Sequence, residues 1–316
     1  MNFNDIINNA VAQVSATLAE PKPRPRFAYP ISAEKAAFLL AQAYRYEVEL
    51  RGYSYTENEN TSRYLAAVGR WLTDGSRKPS LLLYGAGAGT GKTTTARAIK
   101  RMAQALHASL EDGIKNAEET LRSRKAEKFA AWVIPWPEGL GTCASNYDIQ
   151  RRRAWKDAHP EEAEIIEQKE AERTAAIAEW QAPFLAEIQK ARTQAETFGS
   201  ILPELVKAQD LADLVRAKRF EDYNRLIAAP FLIVDEIGAE PLTVKEFGNE
   251  VLPFTELILK RYDSRRPTIL TSNLPLTAEV RDGKEKSLRA IYGIRVVDRL
   301  NEICDKLHYT GNSFRV

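Results

Sequence analysis

The sequence predicts an α/β fold in which helices flank a parallel sheet. Four short, mostly apolar runs, at 81–84, 205–207, 231–234 and 268–271, have the length of buried strands, and helical segments separate them. This alternation is typical of a parallel sheet, because each crossover helix returns the chain to begin the next strand in the same direction. A glycine-rich stretch joins the first strand to the following helix, as in phosphate-binding loops.

The composition argues against a secreted, disulfide-stabilised or membrane-spanning protein. Lys and Arg number 45 against 43 Asp and Glu, so the net charge of +2 does not by itself indicate a nucleic-acid partner. Two cysteines, Cys143 and Cys304, are too few for a disulfide framework. No apolar run could span a membrane, and the N-terminus lacks the basic region of a signal peptide. We therefore expect a cytoplasmic protein without membrane contact.

The N-terminal part is predicted to be a helical segment attached by a stiff linker. Residues 1–20 carry apolar residues at helical spacing, and alternating prolines at 21–26 fix an extended backbone. Further helices are expected from Ser32 to about Arg51 and from about Asn60 to Trp71. We divide the chain into an N-terminal segment, 1–56, and a main domain, 57–316.

A charged helical insertion is expected at about 109–200 within the main domain. The helix after the glycine-rich loop is predicted to end near His107, and a second long helix to cover 160–198. Pro183 should kink this second helix or begin a new one, because proline removes a hydrogen bond of the helix. The alternative is that 131–134 forms the second strand of the sheet.

The strongest functional signal is the stretch from Gly87 to Thr93. Glycines allow backbone N–H groups to approach a phosphate chain closely, and the helix that begins here adds its positive end. Lys92 can reach the β- and γ-phosphates, and the Thr93 hydroxyl can bind Mg²⁺. Ala86 replaces a glycine of the strict pattern, which is a minor change. We expect nucleotide contacts from the following residues: Gly87, Gly89, Thr90, Gly91, Lys92, Thr93 and Thr94.

Polar side chains also end two of the predicted strands. Asp235 and Glu236 follow a buried apolar run, where carboxylates are costly unless they have partners. Asp235 is predicted to hold Mg²⁺ together with Thr93, and Glu236 to orient and deprotonate the attacking water. Asn273 ends the next strand and could hold the water or the γ-phosphate without adding charge.

Two arginines four residues apart, Arg295 and Arg299, are expected on one face of a late helix. Either could act as an arginine finger that reaches the ATP of a neighbouring subunit. The alternative is a surface helix whose arginines pair with Asp298 and Glu302.

Two weaker candidates remain. The basic run 151–156 contains Trp155 and would suit a nucleic-acid backbone and a base stack, although such runs more often form a solvated helix face. Cys304 and His308 have the spacing of metal ligands on a helix, but no second pair of ligands accompanies them.

With these residues placed, the chain resembles the DnaC/IstB group of AAA+ ATPases, which comprises bacterial replicative helicase loaders and transposition ATPases. The runs Asp-Glu-Ile-Gly and Arg-Val-x-Asp-Arg-Leu are more specific to this group than a phosphate-binding loop alone. The likeness rests on the segments 81–98, 207–211, 231–238, 271–274, 292–300 and 311–315.

The resemblance implies a P-loop AAA+ core that covers residues 57–316 and assembles into a ring or spiral. It further implies binding of single-stranded DNA and an N-terminal region that grips a replicative helicase. By analogy, Asn273 is the polar sensor, and Arg299 is favoured over Arg295 as the finger. No zinc-ligand spacing occurs in the N-terminal region, and we expect no helical lid after the arginines.

We therefore expect an ATPase, with ATP and Mg²⁺ as its cofactors, that loads a replicative helicase onto single-stranded DNA. One alternative is an IstB-like transposition ATPase that acts on duplex DNA. Another is a protein adaptor that ATP switches and that binds no DNA.

Overall fold

The computed structural model describes residues 26, 28–87, 89–141, 145–246, 249–277, 280–281 and 284–310. The predicted first helix and most of the proline-rich linker lie outside the described residues. The same is true of Cys143 and of the segment 311–315.

Five parallel strands form one sheet in the order β2-β3-β6-β1-β9. The strand β6 lies at the centre and pairs on its two sides with β1 and β3. The carboxyl ends of β1, β3 and β6 therefore meet at one edge of the sheet. The strands are β1 (Ser80–Tyr84), β2 (Glu204–Lys207), β3 (Leu232–Ile237), β6 (Thr268–Ser272) and β9 (Cys304–His308).

Helices flank this sheet, which confirms the predicted α/β fold with a parallel sheet. Ser32 and Asn58 cap the first two helices by accepting bonds from the backbone N–H groups of Lys35 and Thr61. The helices of this part are α1 (Ala33–Glu49), α2 (Glu59–Thr73), the start of α3 (Lys92–Lys128), α6 (Ala208–Arg216), α7 (Phe220–Ala228), α8 (Pro253–Asp263) and α9 (Leu288–Ile303).

Apolar side chains of the strands and helices make the core of this unit. Leu82, Ile233 and Leu270 on neighbouring strands are fully buried, which explains why these runs are continuous in the sequence. Two short hairpins, β4 (Val244–Glu246) with β5 (Asn249–Val251) and β7 (Val280–Arg281) with β8 (Lys284–Glu285), add to the sheet unit.

The strand β9 was not predicted, and it closes one edge of the sheet beside β1. Directly after it, Tyr309 is buried, stacks on Tyr64 of α2 at 4.1 Å between ring centroids, and donates a hydrogen bond to Thr95 of α3. The C-terminal strand thereby ties the N-terminal helices to the helix that follows the glycine-rich loop.

The described residues divide into two compact units, one formed by residues up to Met102 together with those from Pro203 onward, the other by Ala103–Leu202. The boundary at 56/57 does not coincide with this division, because α1 belongs to the unit that contains the sheet. The second unit consists of the rest of α3 with α4 (Asn146–Ala158) and α5 (Pro160–Gly199).

One expectation about this second unit, the end of α3, was wrong, and two alternatives that the sequence left open are excluded. Helix α3 does not end near His107 but continues to Lys128, since the added residues are mostly strong helix formers and Gly113 costs only about 1 kcal/mol. Pro183 does not begin a new helix, because α5 runs past it. Residues 131–134 form no strand. Among the described residues, no helix is long and apolar enough to cross a membrane.

Replacement of residues 103–202 by a short Gly-Ser linker should leave a folded protein. All five strands and the glycine-rich loop lie outside this unit, so the main core should form without it. Circular dichroism during heating would measure this, with the full-length chain as the control. Loss of a cooperative unfolding transition would show that the segment is needed by the core.

Candidate active site

The glycine-rich loop leads from β1 directly into α3. Gly89 and Gly91 adopt positive φ angles of 81° and 94°, which favour glycine. A Cβ atom on Gly91 would lie 2.3 Å from the hydroxyl oxygen of Tyr44 in α1, so this position has no room for a side chain. The loop therefore presents backbone rather than side chains at the positive end of a helix, which suits an anion.

Lys92, the first residue of α3, is buried inside this loop. Its Nζ donates hydrogen bonds to the carbonyl oxygens of Gly85 and Gly87 at 3.0 and 2.9 Å and to the Thr90 hydroxyl at 3.0 Å. Burial lowers the pKa of Lys92 to about 8, and the nearby Asp235 carboxylate opposes this shift. A positive charge is thus held where phosphate oxygens would approach the loop.

Asp235 connects the loop to the sheet. It is 1% exposed, and its Oδ1 accepts hydrogen bonds from the Thr93 hydroxyl at 2.9 Å and from the Thr271 hydroxyl at 2.5 Å. Thr93 lies in the first turn of α3, Asp235 lies in β3, and Thr271 lies in β6. The role of Thr271 was missed, because the polar end of this strand drew attention only to Asn273.

Glu236 has an unusual backbone for a glutamate, with a φ angle of 63°. Its N–H donates to the Thr271 hydroxyl at 2.9 Å, so one threonine holds both acidic residues. Its carboxylate lies 3.7 Å from the Nζ of Lys207 at the end of β2, and the side chain is 44% exposed. The carboxylate is therefore accessible from the cavity, whereas that of Asp235 is buried.

A cavity of about 360 Å³ lies beside the glycine-rich loop and Glu236. Eight of the predicted site residues line it: Gly89, Thr90, Gly91, Lys92, Thr93, Thr94, Glu236 and Asn273. Gly87 contributes through its contact with Lys92, and Asp235 through its contact with Thr93.

Part of the cavity wall was not predicted, and it comes from α1, the loop after it and the start of α2. Arg51 donates a hydrogen bond to the Thr94 hydroxyl at 3.2 Å, and Tyr44 packs edge-on against Tyr55 at 6.0 Å. In the sequence, a cluster of tyrosines next to an arginine is the signal that could have indicated this wall. The residues of this wall are Tyr44, Val48, Arg51, Tyr53, Ser54, Tyr55, Thr56, Asn58 and Thr61.

The two arginines of α9 do not line this cavity. The Nη1 of Arg299 donates to the Tyr262 hydroxyl at 2.9 Å, and its guanidinium lies over that ring at 4.5 Å. It also lies 3.4 Å from a Glu302 oxygen, so the salt-bridge alternative is present in this chain. Arg295 is exposed. Gly293, with a φ angle of 80°, interrupts the helix just before both arginines.

The basic run 151–156 is largely engaged within its own unit. Arg152 donates to the carbonyl oxygens of Leu140 and Gly141, and its guanidinium lies 4.3 Å from the ring centre of Trp136. Lys156 forms an ion pair with Glu167 at 2.7 Å. The run therefore helps to hold the second unit together.

Cys304 and His308 do not form a metal site. They lie in the strand β9 rather than on a helix, where Cys304 is buried and His308 stacks on Tyr84 at 4.8 Å between ring centroids. In the described part of the chain, no group of three His, Cys, Asp or Glu residues could hold a metal ion.

The donor set fits a nucleoside triphosphate bound together with Mg²⁺. Mg²⁺ prefers oxygen ligands and is commonly held by one or two carboxylates with phosphate oxygens and water, rather than by a protein cage. The Thr93 hydroxyl and the Asp235 carboxylate supply such oxygens next to a loop of backbone N–H groups. The buried ammonium of Lys92 supplies the opposite charge to the phosphates.

Comparison with known proteins gives a similarity at the level of structure. No protein-family model matches the chain, and no curated protein matches it significantly. The chain is similar to the crystal structure of the DnaC helicase loader, with 15% sequence identity over 81% of this chain and 93% of the other, and a TM-score of 0.37.

The stability of the protein without nucleotide should depend on pH through Lys92. Its pKa is about 8 in the folded chain against 10.5 ordinarily, so between these pH values the unfolded chain binds more protons. The free energy of unfolding should therefore rise with pH in this range. In urea denaturation, the stability of the wild type relative to Lys92→Met should increase from pH 7 to pH 10. A difference independent of pH would contradict the burial of the charged ammonium.

Proposed function

We propose that this protein binds ATP with Mg²⁺ and hydrolyses it to ADP and phosphate. The observation that carries this proposal is the hydrogen bond of 2.9 Å between Thr93 and Asp235, which unites the glycine-rich loop with the acidic strand at one cavity. A glycine-rich loop alone could be a structural turn. With Lys92 inside the loop and Glu236 facing the same cavity, four different roles in phosphoryl transfer are assigned within one site.

Each side chain has a distinct role in the proposed reaction. The loop N–H groups and Lys92 bind and orient the phosphates, and Thr93 and Asp235 would hold Mg²⁺, which supplies neutralisation of phosphate charge. Glu236 accepts the proton of the attacking water, and Asn273 orients that water or the γ-phosphate. The aromatic wall around Tyr44 and Tyr55 lines the same cavity and would contact the rest of the nucleotide.

A lysine lies beside the proposed base, since the Nζ of Lys207 is 3.7 Å from a carboxylate oxygen of Glu236. Both side chains are about half exposed, so the pair is easily exchanged for contacts with water or substrate.

We further propose that the ATPase self-associates into a ring or spiral and loads a replicative helicase onto single-stranded DNA. The motif resemblance to the DnaC/IstB group supports this role. The ATP-switched adaptor is the second candidate, and the engagement of Arg152 and Lys156 within their own unit favours it. Stimulation of turnover by single-stranded DNA would support loading, stimulation by duplex DNA alone the transposition alternative, and no stimulation the adaptor.

The variants Lys92→Ala and Glu236→Gln should separate binding from hydrolysis. Lys92→Ala removes the charge inside the loop and should abolish ATP binding or turnover. Glu236→Gln keeps the shape of the base without its basicity and should bind ATP while losing about 10²–10⁴ in kcat. A steady-state ATPase assay and a fluorescent-nucleotide titration measure the two effects. Glu221→Gln, an exposed glutamate at the start of α7, is the control. Near-normal turnover by Glu236→Gln would refute its assignment as the base.

Arg299 is predicted to act on the ATP of a neighbouring subunit, since it does not line the cavity of its own chain. Arg299→Ala should bind ATP normally and turn over slowly, because an arginine finger contributes about 10³–10⁵ in rate in GTPases. Mixing inactive Arg299→Ala with inactive Glu236→Gln should restore some turnover, where an intact cavity meets an intact arginine.

The control for this mixing experiment is Arg295→Ala, and light scattering confirms assembly in each mixture. If assembled mixtures with Arg299→Ala stay inactive, Arg299 is not the finger. Its pairing with Glu302 and Tyr262 would then account for it.

A further inference from the structure

The backbone of the proposed base needs external support. Glu236 has a φ angle of 63°, in the left-handed region that a residue with a Cβ atom adopts only when its surroundings hold it there. Its side chain is 44% exposed, so packing around the side chain does not provide this support. The support must come from contacts to the backbone on either side.

The sheet supplies the first of these contacts, at Glu236 and Ile237. The N–H of Glu236 donates to the Thr271 hydroxyl at 2.9 Å, and the carbonyl oxygen of Ile237 accepts a bond from the Ser272 hydroxyl at 2.9 Å. Thr271 and Ser272, whose hydroxyls make these two hydrogen bonds, both belong to β6. The side chain of Ile237 is 2% exposed and anchors the strand in the core.

Downstream, the contacts come from helix α9 and from Glu240. The N–H of Gly238 donates to the Tyr292 hydroxyl at 2.7 Å and to a Glu240 oxygen at 2.8 Å, and the Tyr292 hydroxyl in turn donates to Glu240. Burial and the charge of Glu240 raise the pKa of Tyr292, so its hydroxyl stays protonated and remains a donor. These three groups form a closed ring of hydrogen bonds two residues after Glu236.

The position of Tyr292 itself is well defined. Its ring is 9% exposed and packs on Phe254 at 4.7 Å between centroids. It is the last residue before Gly293, where the interruption of α9 separates it from Arg295 and Arg299. The helix that carries both arginines thus also contacts the turn that follows the proposed base.

We propose that Tyr292 is a positioning residue for Glu236, because its hydroxyl fixes the turn that holds the base in its left-handed backbone conformation. This inference rests on the proposed ATPase function. It assigns to α9 a second role besides carrying the arginines, since the helix sets where the base of its own subunit stands. Tyr292 does not line the cavity and therefore contributes to the rate without contributing to ATP binding.

The variant Tyr292→Phe removes the hydroxyl and retains the ring. We expect kcat to fall roughly 10-fold to 100-fold, since a small misplacement of a reacting group can cost that much. KM and the Kd of a fluorescent ATP analogue should stay within about twofold, because the loop and Lys92 are unchanged.

The matched control is Tyr223→Phe. Tyr223 is also buried in the same unit, and its hydroxyl donates to the carbonyl oxygen of Pro253 at 2.6 Å, away from the cavity. The Tyr223→Phe variant should lower the melting temperature about as much as Tyr292→Phe does and leave kcat unchanged. A purely structural role for Tyr292 predicts the same result for both variants, with equal kcat.

Glu240→Ala provides a second variant at a partly exposed position, where folding is not at risk. This change removes the carboxylate that accepts hydrogen bonds from Gly238 and Tyr292, and it should also lower kcat with little change in KM. If Tyr292→Phe and Glu240→Ala both turn over as fast as Tyr223→Phe, the inference is overturned. If the wild type hydrolyses no ATP, or Glu236→Gln is fully active, the proposed function or its base fails instead, and the inference fails with it.

Discussion

The carboxylate of Asp235 is the contact on which the rest of the candidate site depends. A buried carboxylate is costly unless it accepts hydrogen bonds, and here the hydroxyls of Thr93 and Thr271 both donate to it. Because these three residues belong to α3, β3 and β6, one side chain fixes the glycine-rich loop against two neighbouring strands. Thr271 extends the same connection to Glu236 through the backbone N–H of that residue.

The N-terminal helices contribute to the site as well as to the core. Tyr44 lies against Gly91 of the loop, and Arg51 contacts Thr94 in the first turn of α3. Part of the cavity wall is therefore formed by residues from α1 to α2. Any movement of this segment would alter the cavity.

Helix α9 combines an anchored half with an exposed half. Before Gly293, Tyr292 is buried and bonded to the turn after Glu236; after it, Arg295 is exposed and Arg299 is 42% exposed on its side chain. The contacts of Arg299 with Tyr262 and Glu302 lie at the surface, where such pairs contribute little to stability. They can therefore be exchanged for other contacts at small cost.

The sequence alone determined the parallel sheet, the loop around Lys92 and the acidic pair, because buried strands and phosphate loops impose local patterns of apolar residues and glycines. The length of α3 could not be predicted from local patterns, since the competition between helix formers and Gly113 depends on the whole helix. The tyrosine wall, Thr271 and the bond from Tyr292 to Gly238 were decided only by tertiary structure. These contacts join residues distant in the chain, Tyr292 and Gly238 being 54 positions apart, and no local pattern encodes such a pairing.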